Sequence, residues 1–183
     1  MDFTAKEIKD LTISVIVLAL AFSGFAFEAL PLVALVIVAV FVSHELGHKF
    51  FAQKYGCTAH YKKWTAGLFL ALVMALLPGG FVFAAPGAVY ISPYSKNKFA
   101  FSVANLTHRE YGIIAAAGPA VNLAVAGLAY AVNIFYPLMI LGLIAKISVF
   151  LALFNLLPFG PLDGNKILNW NKKVWGVLIA LSF

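Results

Sequence analysis

Six apolar segments dominate this chain and constrain its fold more than any other feature. They cover residues 11–27, 31–54, 64–91, 111–135, 138–158 and 174–183. Hydrophobic residues make up 63% of the sequence and charged residues 11%, whereas soluble domains hold about 45–50% apolar and about 25% charged residues. Backbone groups in lipid must be hydrogen-bonded internally, which favours helices. The sequence predicts an all-α integral membrane protein, a polytopic helix bundle of about five to six membrane segments.

The length and charge of the chain indicate one membrane-embedded domain over residues 1–183 of a multi-pass protein of the cell membrane. We attribute the net charge of +6 to the cytoplasmic loops of a membrane protein, because Lys and Arg are enriched in such loops. We therefore do not expect a nucleic-acid partner. Cys57 is the only cysteine, so any zinc site must be built from histidine and carboxylate ligands.

The third segment, 64–91, has two possible paths. Residues 64–77 would make a helix of only about 21 Å, and the run Pro78-Gly79-Gly80 then breaks it. Residues 81–91 are rich in aromatic and β-branched side chains, which is typical of a strand. The segment is therefore either one broken span or a re-entrant excursion that returns to the same side.

The distribution of the thirteen basic residues favours the second path. With a cytoplasmic amino terminus and a re-entrant, short-strand element at about 64–91, all of them except Lys146 fall on the cytoplasmic side. If the segment crossed, then Lys96, Lys98 and Arg109 would move outside. Lys146 lies inside a predicted span, where it either snorkels outward or lines a cavity.

The motif His44-Glu45-Leu46-Gly47-His48 lies within the second apolar segment. Histidines four residues apart share one face of a helix and can bind one zinc ion, with Glu45 as general base. The alternative is a chance motif with buried, satisfied histidines. Ionisable groups at membrane depth are costly and mark functional sites, so we expect His44 and His48 to be metal ligands.

A catalytic zinc takes three protein ligands, so a third is required. The side chains considered for it are Glu28, His60, His108, Glu110 and Asp163. Asp163 is the best, because it lies where a span breaks into a Pro/Gly turn, and irregular backbone at membrane depth lines buried polar cavities. The alternative is an ordinary Asp-Gly turn. A re-entrant segment 64–91 brings Asp163 and the histidines to the same membrane face, whereas a crossing one separates them by about 20–30 Å.

Two amides in apolar segments, Asn122 and Asn155, are predicted as donors to the oxyanion of a hydrolytic transition state. The alternative for each is a hydrogen bond between helices. A stripe of small residues is predicted to pack near the metal-bearing helix; its members are Gly112, Ala116, Ala120 and Ala124.

Three motifs together resemble the site-2 protease family of intramembrane zinc metalloproteases. They are His44-Glu45-Leu46-Gly47-His48, then Gly118-Pro119-Ala120-Val121-Asn122, then Asn155-Leu156-Leu157-Pro158 leading to Asp163-Gly164. The resemblance covers a core of about 31–170, without PDZ or CBS domains. Asn165 departs from the pattern, since many relatives have a small residue there.

The resemblance implies one Zn²⁺ per chain, held by His44, His48 and Asp163, with Glu45 as the base. It also implies an endopeptidase that hydrolyses transmembrane protein substrates in the bilayer, near the cytoplasmic face, and residues 81–91 are predicted to bind the unwound substrate by strand addition. The oligomeric state stays open. The alternative is a non-proteolytic metal-binding or ion-transporting membrane protein, which should carry polar groups along several spans, whereas here they cluster at one end.

Overall fold

The computed structural model describes residues 2–78, 80–92 and 106–183. Its helices are α1 (Ala5–Phe22), α2 (Leu30–Ile37), α3 (Ser43–Lys54), α4 (Thr65–Ala75), α5 (His108–Phe135), α6 (Met139–Asn155), α7 (Asp163–Trp170) and α8 (Lys172–Ala180). A π-helical segment, Val38–Val42, joins α2 to α3, and the strands are β1 (Thr58–Lys63) and β2 (Gly87–Ser92). The predicted helical architecture is confirmed, and β2 corresponds to the predicted short strand, whereas its partner β1 was not predicted.

Two helices of the described chain are long and apolar enough to cross a membrane. One is the continuous helix Leu30–Lys54, of 25 residues, and the other is α5, of 28 residues. The apolar helices α4 and α6 are shorter, and α1 carries charged residues in its first two turns. The number of five to six membrane segments therefore stays a prediction.

The two strands pair in antiparallel fashion, from Thr58 opposite Ser92 to Lys63 opposite Gly87. The backbone N–H of Trp64 donates to the Pro86 carbonyl at 2.7 Å, so residues 64–86 leave the sheet and return to it. This is the path that the re-entrant interpretation requires, although the position of the segment in a membrane stays a prediction. Lys96 and Lys98, which entered the charge argument, lie outside the described residues.

The packing of α5 differs from the predicted small-residue stripe. Ala120 and Ala124 are exposed, so the stripe does not form the contact with the metal-bearing helix. The face of α5 that meets α3 carries Ile114, Gly118 and Asn122, which are all buried. These positions are shifted by two residues from the stripe, which is about 200° around a helix. The face of α5 predicted to pack near the metal-bearing helix was therefore wrong by about half a turn of rotation about the helix axis.

A buried ion pair ties α1 to α3 and β1. Lys49 donates from Nζ to Glu7 at 2.6 Å and 2.7 Å, to Oε1 and Oε2 respectively, and the backbone N–H of Tyr61 donates to Oε1 at 3.1 Å. The exposed fraction is 2% for Glu7 and 1% for Lys49. The ammonium group of Lys49 is therefore paired inside the protein, and its predicted position at the cytoplasmic end of the span stays a prediction.

Tyr61 completes the contact between the sheet and α1. Its hydroxyl lies 2.8 Å from the Ser14 hydroxyl, and its side chain is 2% exposed. Burial raises the pKa of the Tyr61 phenol, and the nearby Glu45 carboxyl acts in the same direction. The phenol is therefore neutral at physiological pH and holds β1 by a neutral hydrogen bond.

Candidate metal centre

Helix α3 presents His44 and His48 on one face. Their spacing of four residues places the two Nε2 atoms 3.0 Å apart, and both side chains are buried. The π-helical segment Val38–Val42 ends directly before α3. Such π-helical turns occur frequently at functional sites. Sequence analysis missed this turn, and the apolar residues that form it carry no local pattern that would have revealed it.

The structure brings Asp163, the predicted third ligand, to the two histidines. Its Oδ2 atom lies 3.0 Å from Nε2 of His48 and 3.5 Å from Nε2 of His44. Asp163 is the first residue of α7. The neighbouring Gly164 allows a close approach to the end of α6, because a Cβ atom there would collide with the Leu156 carbonyl.

The same carbonyl anchors the carboxyl-terminal part of the chain. Trp175 donates from Nε1 to Leu156 O at 2.8 Å. The end of α6 is thus held by α8 on one side and packed against the start of α7 on the other. This arrangement fixes the turn that delivers Asp163.

The three ligand atoms fit a metal ion. His48 approaches the Ile114 carbonyl through Nδ1 at 2.8 Å, which makes Nδ1 the protonated nitrogen and leaves a lone pair on Nε2 of the neutral ring. In that neutral form the lone pair faces a carboxylate oxygen, another acceptor, and a metal ion between the two atoms would stabilise the arrangement. Tetrahedral zinc with ligands at about 2.0–2.1 Å requires ligand atoms about 3.3 Å apart, close to the separations here. All three atoms lie within 4.8 Å of one another, and the group could hold one metal ion.

Gly118 leaves the space in which the ligands meet. A Cβ atom at this position would collide with Nε2 of His48 and with Nε2 of His44. The following residue, Pro119, lies inside α5 and cannot donate a helical hydrogen bond. Gly118, from the second motif, therefore forms the wall of α5 behind the ligand atoms.

Glu45 lies beside the ligands in a position suited to a base. Its side chain is buried, and Oε2 has no hydrogen-bond partner among the described residues. It lines a cavity of about 290 Å³ together with the three predicted ligands. An unpartnered carboxylate oxygen at a cavity wall is free to accept a proton from a molecule that enters.

The two predicted amides occupy different places. Asn155 lines the cavity and donates from Nδ2 to the Leu151 carbonyl at 2.9 Å, so its second amide hydrogen is free to serve a ligand. Asn122 does not line this cavity; it is 0% exposed and lies behind His44, with Nδ2 3.1 Å from Nδ1. The geometry therefore supports the predicted oxyanion contact for Asn155 and not for Asn122.

Lys166 is a site residue that sequence analysis missed. It donates from Nζ to Oδ1 of Asp163 at 3.0 Å, so the two oxygens of the carboxylate have different partners. Lys166 also lines the cavity. The spacing of three residues on one helix could have indicated the contact, but Lys166 was counted only among the basic residues of the cytoplasmic side.

The other histidines and acidic residues considered as ligands lie elsewhere. His60 is 3.4 Å from Glu7, and His108 contacts the Asn169 carbonyl through Nε2 at 3.1 Å. Glu110 forms a capping box with Thr107 at the start of α5, and Glu28 is exposed. The described residues contain one group of three side chains suited to a metal, and it is the predicted one.

Comparison with known proteins agrees with this geometry. Residues 32–139 match the model of peptidase family M50. The chain is also 40% identical over 183 aligned positions to a protein of Methanocaldococcus jannaschii that is assigned by name as a zinc metalloprotease; the match covers 96% of this chain and 90% of that protein.

The chain belongs to peptidase family M50. The resemblance to the site-2 proteases is thereby confirmed, and so is the prediction of a metalloprotease at the level of the family. No solved structure matches the chain. The match to the family model contains both histidines, Glu45 and Asn122 and ends before Asn155 and Asp163, so the third ligand rests on the geometry described above.

Proposed function

We propose that this M50 peptidase is an intramembrane zinc endopeptidase that cleaves membrane-spanning protein substrates near the cytoplasmic face. The observation that carries the proposal is the meeting of His44, His48 and Asp163 beside the unpartnered carboxylate of Glu45, at the wall of a cavity. His44, His48 and Asp163 would hold one zinc ion. When bound, the zinc would act as a Lewis acid that polarises the scissile carbonyl and makes a water molecule more acidic.

Glu45 is the general base of the proposed reaction. Its free oxygen removes a proton from the attacking water and later delivers that proton to the nitrogen of the leaving amine. The free amide hydrogen of Asn155 donates to the oxygen on which negative charge develops. Glu45 is buried and Asn155 is half-buried, so competing water is limited at both groups and these contacts are strengthened.

Strand β2 is the proposed binding edge for the substrate. Residues 87–91 line the cavity, and β2 has β1 on one side, the sheet of the described chain having two strands. An unwound substrate segment can therefore add to the sheet along the free edge, with backbone hydrogen bonds that do not depend on sequence. This places an extended peptide beside the ligands, as hydrolysis of a peptide bond requires.

The position of the histidines within an apolar helix supports membrane-spanning proteins as the substrate class. The continuous helix Leu30–Lys54 carries the histidines within an apolar run that is long enough to span, so a substrate that reaches them must enter from the bilayer or through a short polar entrance. The proposed lipid-embedded site and cytoplasmic amino terminus follow from the predicted topology.

Two variants test the proposal. Glu45→Gln should retain about one zinc per chain and lose cleavage of a membrane-spanning reporter substrate, since only the base is removed. Asp163→Ala should lose both zinc and cleavage. Zinc content of the purified proteins and cleavage in detergent are measured side by side.

Wild-type protein that contains no zinc after reconstitution would overturn the proposal. Full cleavage by Glu45→Gln would exclude its role as the base. Zinc binding in the wild type without cleavage of any membrane-spanning reporter would favour the metal-binding alternative.

A further inference from the structure

Helix α5 supplies a partner to each histidine from one face. The Ile114 carbonyl accepts from Nδ1 of His48, and the Asn122 amide lies 3.1 Å from Nδ1 of His44. Between them lies Gly118, which leaves the space for both Nε2 atoms. The three positions recur every four residues and so share a face of the helix. Each imidazole is thus held at the nitrogen that points away from the proposed metal.

The two partners differ in chemistry. A backbone carbonyl only accepts hydrogen bonds, so Ile114 selects the His48 tautomer with a proton on Nδ1. An amide both donates and accepts, so Asn122 can present either group to His44. In the structure the amide nitrogen faces Nδ1, and Oδ1 has no partner among the described residues although the side chain is 0% exposed. This orientation suits a His44 whose proton is on Nε2.

When a metal binds Nε2 of His44, the Asn122 amide must accept a hydrogen bond from Nδ1 instead of donating one. A neutral imidazole that binds through Nε2 carries its proton on Nδ1 and donates it. The amide nitrogen would then face a second donor, and the contact would be repulsive. Rotation of the side-chain amide by half a turn places Oδ1 against Nδ1, which restores a hydrogen bond without movement of the helix. Metal-bound histidines almost always have such an acceptor on the other nitrogen.

We propose that Asn122 is a positioning residue whose amide oxygen accepts the hydrogen bond from Nδ1 of His44 when the site is loaded, thereby orienting Nε2 toward the metal. The inference rests on the proposed zinc site, and it gives Asn122 a role different from the predicted oxyanion contact. Asn122 acts through His44 and does not touch the substrate. It should therefore affect the affinity for zinc, which an oxyanion donor would leave unchanged.

The test compares zinc affinity, measured by competition with a chromophoric chelator, for purified wild type and three variants. Asn122→Leu removes the acceptor at similar size and should weaken zinc binding about 10- to 100-fold. Asn122→Asp keeps an acceptor and should bind zinc within a few-fold of wild type. Asn155→Leu serves as the matched amide control, because it should lose cleavage while it keeps wild-type zinc affinity.

The absorption spectrum of the cobalt-substituted proteins gives a second readout that does not depend on cleavage. Asn122→Asp should keep the wild-type spectrum, and Asn122→Leu should change it. If Asn122→Leu does not fold, Asn122→Ser replaces it, since the shorter hydroxyl cannot reach His44.

Wild-type zinc affinity in Asn122→Leu or Asn122→Ser would overturn the inference, and so would an Asn122→Asp protein as weak as Asn122→Leu. Absence of zinc from the wild type would instead overturn the proposed function, so the two failures are distinguishable.

Discussion

At the scale of single residues, the absence of a side chain at position 118 makes the ligand cluster possible. A Cβ atom on Gly118 would collide with the ring nitrogens of both histidines. Gly118→Ala should therefore push the imidazoles apart, and overpacking of this kind costs about 1–3 kcal/mol. We expect zinc affinity to fall about 5- to 150-fold, as measured by chelator competition.

The matched control lies on the same helix. Gly127 has nothing within 4 Å of the position of a Cβ atom, so Gly127→Ala should leave zinc affinity unchanged. Equal zinc affinity in the two variants would show that α5 can move away from the histidines and that Gly118 does not limit the site.

Lys166 makes a second prediction at this scale. Its ammonium group donates a hydrogen bond to Oδ1 of Asp163 at 3.0 Å, so that Oδ2 of the same carboxylate faces the histidines. Lys166→Met should weaken zinc binding about 10- to 100-fold, the usual effect of losing a partner of a metal ligand. Lys166→Arg keeps the positive charge and should retain most of the affinity. A Lys166→Met protein with wild-type affinity would contradict this role.

At the scale of elements, the Glu7–Lys49 pair fastens α1 and β1 to the metal-bearing helix. Removal of one partner leaves the other charge buried and unpaired, which costs about 3–5 kcal/mol. Glu7→Gln should therefore lower the midpoint of thermal unfolding in detergent substantially. The double variant Glu7→Gln/Lys49→Met should recover part of the loss, because neither charge is then buried.

Lys173→Met is the control for this experiment. Lys173 is exposed on α8, and surface substitutions usually change stability by no more than about 0.5 kcal/mol. An unfolding midpoint for Glu7→Gln equal to that of Lys173→Met would mean that the ion pair does not fasten these elements.

The small sheet shows where element prediction from sequence was incomplete. Strand β2 overlaps the segment predicted to form a strand edge, but no strand was predicted at β1. Its Ala59 and Tyr61 are buried in alternation with more exposed neighbours, which is the period of a strand. Lysines at its end and the short length of the run concealed that alternation, since only two apolar side chains carry it.

At the scale of the whole molecule, the predicted topology can be tested directly. With a cytoplasmic amino terminus and a re-entrant segment 64–91, the turn after α5 falls on the outer side of the membrane. In a Cys57→Ala background, Tyr136→Cys should therefore react with a membrane-impermeant maleimide in intact cells. Tyr136 is 69% exposed, so access is not limited by the protein itself. Lys173→Cys should react only after the cells are opened. The reverse pattern would contradict a cytoplasmic amino terminus.

What the sequence determined by itself was local. Apolar runs predicted helices, and a spacing of four residues placed His44, Glu45 and His48 on one turn, because helix geometry relates near neighbours directly. The three motifs were enough to indicate the family. The motif Gly118-Pro119 was recognised, but the steric reason for its glycine was not visible.

The tertiary structure decided which distant residues meet. The Ile114 carbonyl lies 66 residues from His48, and Asn122 lies 78 residues from His44. Their contacts depend on the rotation of α5 about its axis, and a stripe of small residues indicated the wrong side. The buried pair of Glu7 and Lys49 likewise forms only because packing brings α1 and α3 together. The rotation of a helix is set by the sum of its packing contacts with other elements, and that sum is not contained in any one segment.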